Sequence, residues 1–269
     1  MTISQSLVTT SLQGQKVLRP NLFPARTSRN TQVVTTGQLI RNALPVPDGS
    51  ILLGLCPDRL PFLIELTEPA IGAILVASDE GQGKTHQLQI IVDSALRMNA
   101  PKDFQVFILT SNPDEWNSTF HSNQSRKYLQ GMTSWYAADA PALIDTALQL
   151  AESRRQGDLM GARILFILDD LERVNELPYE TQINLHWLLE YGPQSNVWMI
   201  AAVKAGLAGS LRYWIDVFRT RIIGRVLSQE NASILATKKE VLADCLSPGE
   251  FKVWTGHDWR SYRLPVIGD

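Results

Sequence analysis

Cysteine is nearly missing from this chain. Cys56 and Cys245 are the only two, far apart and without C-x-x-C spacing. That argues against a disulfide framework or a zinc site, and it fits a reducing, cytoplasmic compartment. Histidine is scarce as well: His86, His121, His186 and His257 are scattered without ligand spacing, so none is assigned a catalytic or metal role. Long hydrophobic runs are also lacking. The longest, Ile71–Ala77 and Val197–Val203, fall well short of the roughly 20 apolar residues a spanning helix needs, so no integral membrane segment is expected. A net charge of −2 gives no general nucleic-acid-coating surface. No internal repeat or low-complexity tract is present. Finally, acids are absent from residues 1–47, which carry Lys16, Arg19, Arg26, Arg29 and Arg41 among many Ser, Thr, Gln and Asn. Leu44-Pro-Val-Pro-Asp-Gly-Ser has the punctuation of a linker. Residues 1–48 are therefore expected to be a polar basic arm and linker, and 49–269 a folded domain.

At 269 residues, 44% hydrophobic and 19% charged, the chain can bury one large α/β core. The organising stretch is Ile74–Thr85, ILVASDEGQGKT. Its first residues read as a buried strand. From Lys84, Leu88, Ile91, Val92, Ala95 and Leu96 follow one helical face. A strand, a glycine loop ending in Gly-Lys-Thr and a helix together make the context of a phosphate-binding loop. Gly81 and Gly83 let backbone N–H groups approach a polyanion, and the helix N-terminus adds about half a positive charge. Lys84 is expected to reach the β/γ-phosphates of ATP and the Thr85 hydroxyl to ligate Mg²⁺. Glu80, Gly81, Gln82, Gly83, Lys84, Thr85 and His86 form the expected nucleotide-binding segment. The pattern G-x-x-x-x-G-K-[ST] asks for glycine where Ser78 stands, and Asp79 and Glu80 bring two acids beside a triphosphate.

Further strands are read at Phe104–Thr110, Ser134–Ala137, Arg163–Leu168, Val197–Val203 and Arg221–Val226. Hairpins are read at Ile51–Leu55 with Phe62–Leu66, and at Phe251–Gly256 with Arg260–Val266. Helices are read from Pro141 to Arg155, from Pro178 to Tyr191 and from Ser228 to Ala236. Strands alternating with helices imply a mainly parallel sheet covered on both faces. The Arg163–Leu168 run ends in Asp169-Asp170, where an ATPase needs carboxylates. Asp169 is assigned to the metal, and Asp170 to the general base that orients the attacking water. Lys204, Arg212, Arg219, Arg221 and Arg225, with Asp216 the lone acid among them, form a basic segment suited to DNA phosphates or to a neighbour's nucleotide site.

This order of features resembles the FtsK/HerA motor ATPases over roughly residues 50–266. The lead-in hairpin, the phosphate loop, the helix ending in Arg154-Arg155, the segment Asn196-VWMIAAVKA, the segment Phe218-RTRIIGRVLSQENASILA and the closing strands carry the resemblance. It implies a RecA-like P-loop NTPase fold with small β-hairpin additions at each end. It also implies a ring, with a hexamer favoured, that couples ATP hydrolysis to movement of double-stranded DNA. Arg221 falls on the family's Thr-Arg-Ile segment and is the first choice for a trans-acting catalytic arginine, with Arg219 second. Where the family has a polar Thr-Gln pair at the end of the fourth strand, this chain has Ala202 and Val203. That departure, with Asp170 and Ser78, favours an alternative: a hydrolytically weak nucleotide-binding subunit of a larger ATPase, or of a secretion complex of type VII kind.

Overall fold

The computed structural model describes residues 34–157, 161–236, 243–254 and 258–269. In chain order the elements are α1 (Thr36–Ala43), β1 (Ser50–Leu55), β2 (Pro61–Glu65), β3 (Ile74–Ser78), α2 (Lys84–Met98), β4 (Phe104–Thr110), α3 (Asn123–Arg126), β5 (Leu129–Ser134), α4 (Ala140–Arg155), β6 (Arg163–Leu168), α5 (Tyr179–Tyr191), β7 (Val197–Lys204), α6 (Arg212–Ile215), β8 (Thr220–Ile223), α7 (Gln229–Ala236), β9 (Glu250–Trp254) and β10 (Trp259–Arg263).

The strands form one sheet in the order β2-β1-β10-β9-β8-β3-β7-β6-β4-β5. From β8 to β5 every pairing is parallel, whereas β9, β10, β1 and β2 continue the sheet antiparallel. The parallel strands are apolar throughout because helices cover both faces. Ala73, just before β3, and Leu75 and Ala77 within it pack on the side of α4, α5 and α7, while Ile74 and Val76 pack on the side of α2. Helix α2 buries more than the expected stripe. Gln87 and Ser94 are fully buried and bind β1, with Gln87 Nε2 donating to the Leu53 carbonyl at 3.1 Å and Ser94 Oγ accepting from Leu52 N at 2.9 Å. These side chains weld the antiparallel additions to the parallel core.

Three expectations change. Part of the stretch read as an arm is built into this unit: Leu39 and Ile40 of α1 pack against Ile90 of α2, and Thr35 bridges to Val266. Residues 1–33 lie outside the described residues, as do 255–257, where the strand read at Phe251–Gly256 was expected to end. The strand read at Ser134–Ala137 runs instead over Leu129–Ser134. Its apolar pattern is hidden by Gly131, where a Cβ would lie 2.4 Å from Leu143 Cδ1 of α4. The strand read to Val226 stops at Ile223, and Gly224 follows at a close approach where a Cβ would lie 2.7 Å from Phe251 and 2.9 Å from Ser78.

Candidate nucleotide site

The parallel strands bring the loop after β3, the end of β6 and the end of β7 to one edge, and β7 lies between the other two. Gly81 (φ 71°) and Gly83 (φ 97°) take the left-handed conformation that glycine adopts without strain. A Cβ at Gly81 would meet nothing within 4 Å, so the loop faces open space. Lys84 Nζ folds back onto its own loop, donating to Asp79 O at 2.9 Å and Ser78 O at 3.3 Å. Burial pulls its pKa down, opposed chiefly by the negative charge of Glu172.

The departures at the head of the loop are accommodated. Ser78 is fully buried, and the space for its side chain comes from Gly224, which has no Cβ. Asp79 turns away and accepts from Leu227 N at 2.8 Å, and Glu80 is largely exposed. The His86 ring is turned to the Pro265 carbonyl, with Nε2 3.1 Å from its oxygen.

Thr85 Oγ1 donates to Asp169 Oδ1 at 3.3 Å across 84 residues of sequence, and Thr110 Oγ1 at the end of β4 reaches Asp169 Oδ2 at 3.4 Å. Asp169 is 4% exposed. Burial, with the neighbouring Asp170 charge adding to it, pushes its pKa up to about 7. A buried carboxylate of this kind, beside a hydroxyl, is a fitting hard-oxygen donor pair for Mg²⁺. No three His, Cys, Asp or Glu side chains among the described residues are grouped to hold a metal. Thr85 and Asp169 would therefore share the ion with phosphate and water oxygens, as Mg²⁺ in nucleotide sites commonly does.

Asp170 has φ 66° and ψ 59°, a conformation disfavoured for a residue with a Cβ. It reverses the chain into a 3-10 turn, Leu171–Glu176. That turn carries Glu172 inward until its side chain is only 9% exposed. Glu172 is a site residue the sequence did not single out; its one signal was a third acid two positions past Asp170. At the end of β7, Ala202 and Val203 are core residues on opposite faces. The strand continues to Lys204, which pairs with Ser78 of β3. The polar position that meets the site is thus Lys204, and the apolar pair lies behind it.

The basic segment divides. Strand β8 runs parallel to β3, so Arg219 lies before its start and Arg225 after its end, at opposite edges of the sheet. Arg219 is exposed and lies over Gly72, and Arg212 is exposed beside Asp216. Arg221 is 5% exposed. Its guanidinium donates to the carbonyls of Leu235 (2.7 Å), Ile215 (2.8 Å), Phe218 (3.2 Å) and Ile234 (3.3 Å). A trans-acting arginine needs a free, reachable guanidinium. Arg221 has none to offer: it holds together the last turns of α6 and α7.

No family model and no curated protein matches the chain. Solved structures do. EccC of Thermomonospora curvata, comprising ATPases 2 and 3 in complex with a signal sequence peptide, superposes with a TM-score of 0.70 at 16% identity over 88% of this chain. The cytoplasmic domain of EssC gives 0.65 at 15% over 93%. The conjugation coupling protein TcpA of pCW3, with ATPγS, gives 0.58 at 17% over 83%. The chain shares the fold of these ATPase domains, a RecA-like P-loop fold on a mainly parallel sheet. The chain spans 44%, 48% and 67% of these three structures, respectively. The loop at Gly81–Thr85 and the Asp169 carboxylate stand at the same edge of the sheet, after parallel strands separated by β7. Among the described residues no helix is long and apolar enough to cross a membrane.

Proposed function

We propose that this chain is an ATP- and Mg²⁺-binding motor-type subunit that works in a cytoplasmic ring, with a hexamer favoured and double-stranded DNA as the polymer moved. The observation that carries the reading is the meeting of Thr85 and Asp169 beside an open, left-handed glycine loop. Lys84 leaves its loop carbonyls to pair with the β/γ-phosphates. Thr85 and Asp169 would hold Mg²⁺, which would supply positive charge to phosphate oxygens. Asp170 orients water for attack on the terminal phosphorus. Arg219, exposed at the far edge, takes the trans-acting role in place of Arg221.

A second reading, a hydrolytically weak subunit of a secretion assembly, is favoured by the apolar, buried Ala202 and Val203 at the end of β7. The likeness to the type VII secretion ATPase EccC also supports it. The binding half is tested by nucleotide titration: wild type binds ATP and Lys84→Ala loses it, and equal binding by both would refute the phosphate-loop reading. Steady-state turnover with and without double-stranded DNA then separates the two. Stimulation by DNA supports the translocating motor, and slow, DNA-indifferent turnover supports the secretion subunit.

A further inference from the structure

The main chain at the end of β6 is held from the side by two aromatic residues that the roles above leave unused. The peptide joining Asp169 to Asp170 belongs to both carboxylates, since turning it moves one relative to the other. It leads into the left-handed Asp170, and such a conformation persists only where the surroundings over-determine it. Trp135, buried and next in sequence after β5, reaches past β4 and donates its indole N–H to the carbonyl oxygen of that peptide. Its main-chain N–H donates to Thr110 O at 3.1 Å, which fixes where the side chain begins. The ring of Tyr136, the following residue, has the Arg173 guanidinium carbon 5.3 Å from its centre. Arg173 N in turn donates to Asp170 O at 3.0 Å and closes the turn. Two consecutive residues therefore hold the chain on both sides of Asp170. A partnered indole is not the default in this molecule. The buried indole nitrogens of Trp116, Trp198 and Trp259 have no partner among the described residues.

We propose that Trp135 and Tyr136 are positioning residues for hydrolysis, which set the Asp169–Asp170 peptide so that the Asp170 carboxylate is aimed at the attacking water. This deepens the motor reading and rests on the general-base role it gives Asp170. The indole N–H fixes the plane of the peptide, and with it the left-handed φ of Asp170. The Tyr136 ring steadies Arg173, whose main chain anchors the other end of the turn. Neither residue belongs to the Gly81–Thr85 loop, so their loss falls on turnover and spares nucleotide binding.

The test measures kcat and KM for ATP hydrolysis, and the ATP dissociation constant, in Trp135→Phe, Tyr136→Leu, Tyr136→Phe and the double variant Trp135→Phe with Asp170→Asn. Trp135→Phe keeps an aromatic ring but removes the N–H. It is expected to lower kcat about five- to tenfold, the scale of one neutral hydrogen bond, with KM and the dissociation constant within twofold. Tyr136→Leu, at an exposed position, lowers kcat about threefold. Tyr136→Phe keeps the ring beside Arg173 and restores the rate. Because Trp135 acts through Asp170, adding Trp135→Phe to Asp170→Asn costs less than a further twofold. An unchanged kcat in Trp135→Phe, or in Tyr136→Leu should the first variant not fold, overturns the inference. So does the full further loss in the double variant, and in each case a slow Asp170→Asn leaves the base role standing. If Asp170→Asn turns over like wild type, the base role fails and this inference with it.

Discussion

Replacing Arg221 separates a structural arginine from a catalytic one. In Arg221→Ala, four carbonyls lose a charged donor: Ile215, Phe218, Ile234 and Leu235. Two of the bonds are short, at 2.7 and 2.8 Å. A hydrogen bond to a charged group contributes about 1.5–3 kcal/mol, and an orphaned buried acceptor costs a similar amount. Removing the guanidinium also relieves the desolvation that pulls its pKa down, which offsets part of the loss. The net destabilisation expected is about 3–5 kcal/mol, a large share of the roughly 5–15 kcal/mol that holds a domain together. For a domain of this size that lowers Tm by roughly 10 °C. Arg221→Lys keeps the charge without the fork and should lose about half as much. Thermal and urea unfolding monitored by circular dichroism give both numbers. A variant that melts within about 2 °C of wild type but has lost only hydrolysis would refute the structural role and return Arg221 to the finger.

Arg219→Ala should leave the melting temperature unchanged, and rings mixed from Arg219→Ala and Lys84→Ala chains should recover turnover that neither has alone; no recovery in confirmed mixed rings would remove Arg219 from the trans role. Asp170→Asn preserves the left-handed backbone, which Asn tolerates, so ATP affinity should hold while turnover falls about a hundredfold, within the usual range for a lost general base; an unaffected rate would remove Asp170 from that role. Asp169 carries a pKa pushed up to about 7 by burial. The folded protein without Mg²⁺ therefore keeps a proton that the unfolded chain gives up near pH 4. Stability is fully present below that pH and declines as pH rises through about 7. Urea unfolding at pH 5 and pH 8 should show that decline in wild type and a flatter profile in Asp169→Asn; equal slopes would refute it.

The order of buried strands, the glycine loop and Asp169 could be read directly, because each is a local pattern: continuous apolar runs for strands covered on both faces, and a fixed spacing of Gly, Lys and Thr for the turn into α2. The first helix was hidden in a stretch whose polarity and proline-rich end read as a linker. Its few apolar residues, Leu39 and Ile40, make sense only against Ile90 of α2. The β5 strand was hidden by Gly131, whose missing side chain is explained by Leu143 on another element.

The amino-acid sequence by itself determined that a phosphate loop lies between a strand and a helix, that a carboxylate ends a later strand, and that the sheet is mainly parallel. The fate of each charged side chain was decided by tertiary structure, since burial and partners depend on residues distant in the chain. Arg221 is spent on carbonyls from α6 and α7. Glu172 is turned inward by the left-handed Asp170, and Lys204 is brought to the loop by its pairing with Ser78. Ser78 fits where a glycine is usual because Gly224, 146 positions later in the numbering, leaves room beside it. Sequence spacing encodes local geometry. Desolvation and charge pairing are properties of the packed molecule, and they divided one basic segment into a structural arginine, an exposed arginine at the far edge and a lysine level with the head of the glycine loop.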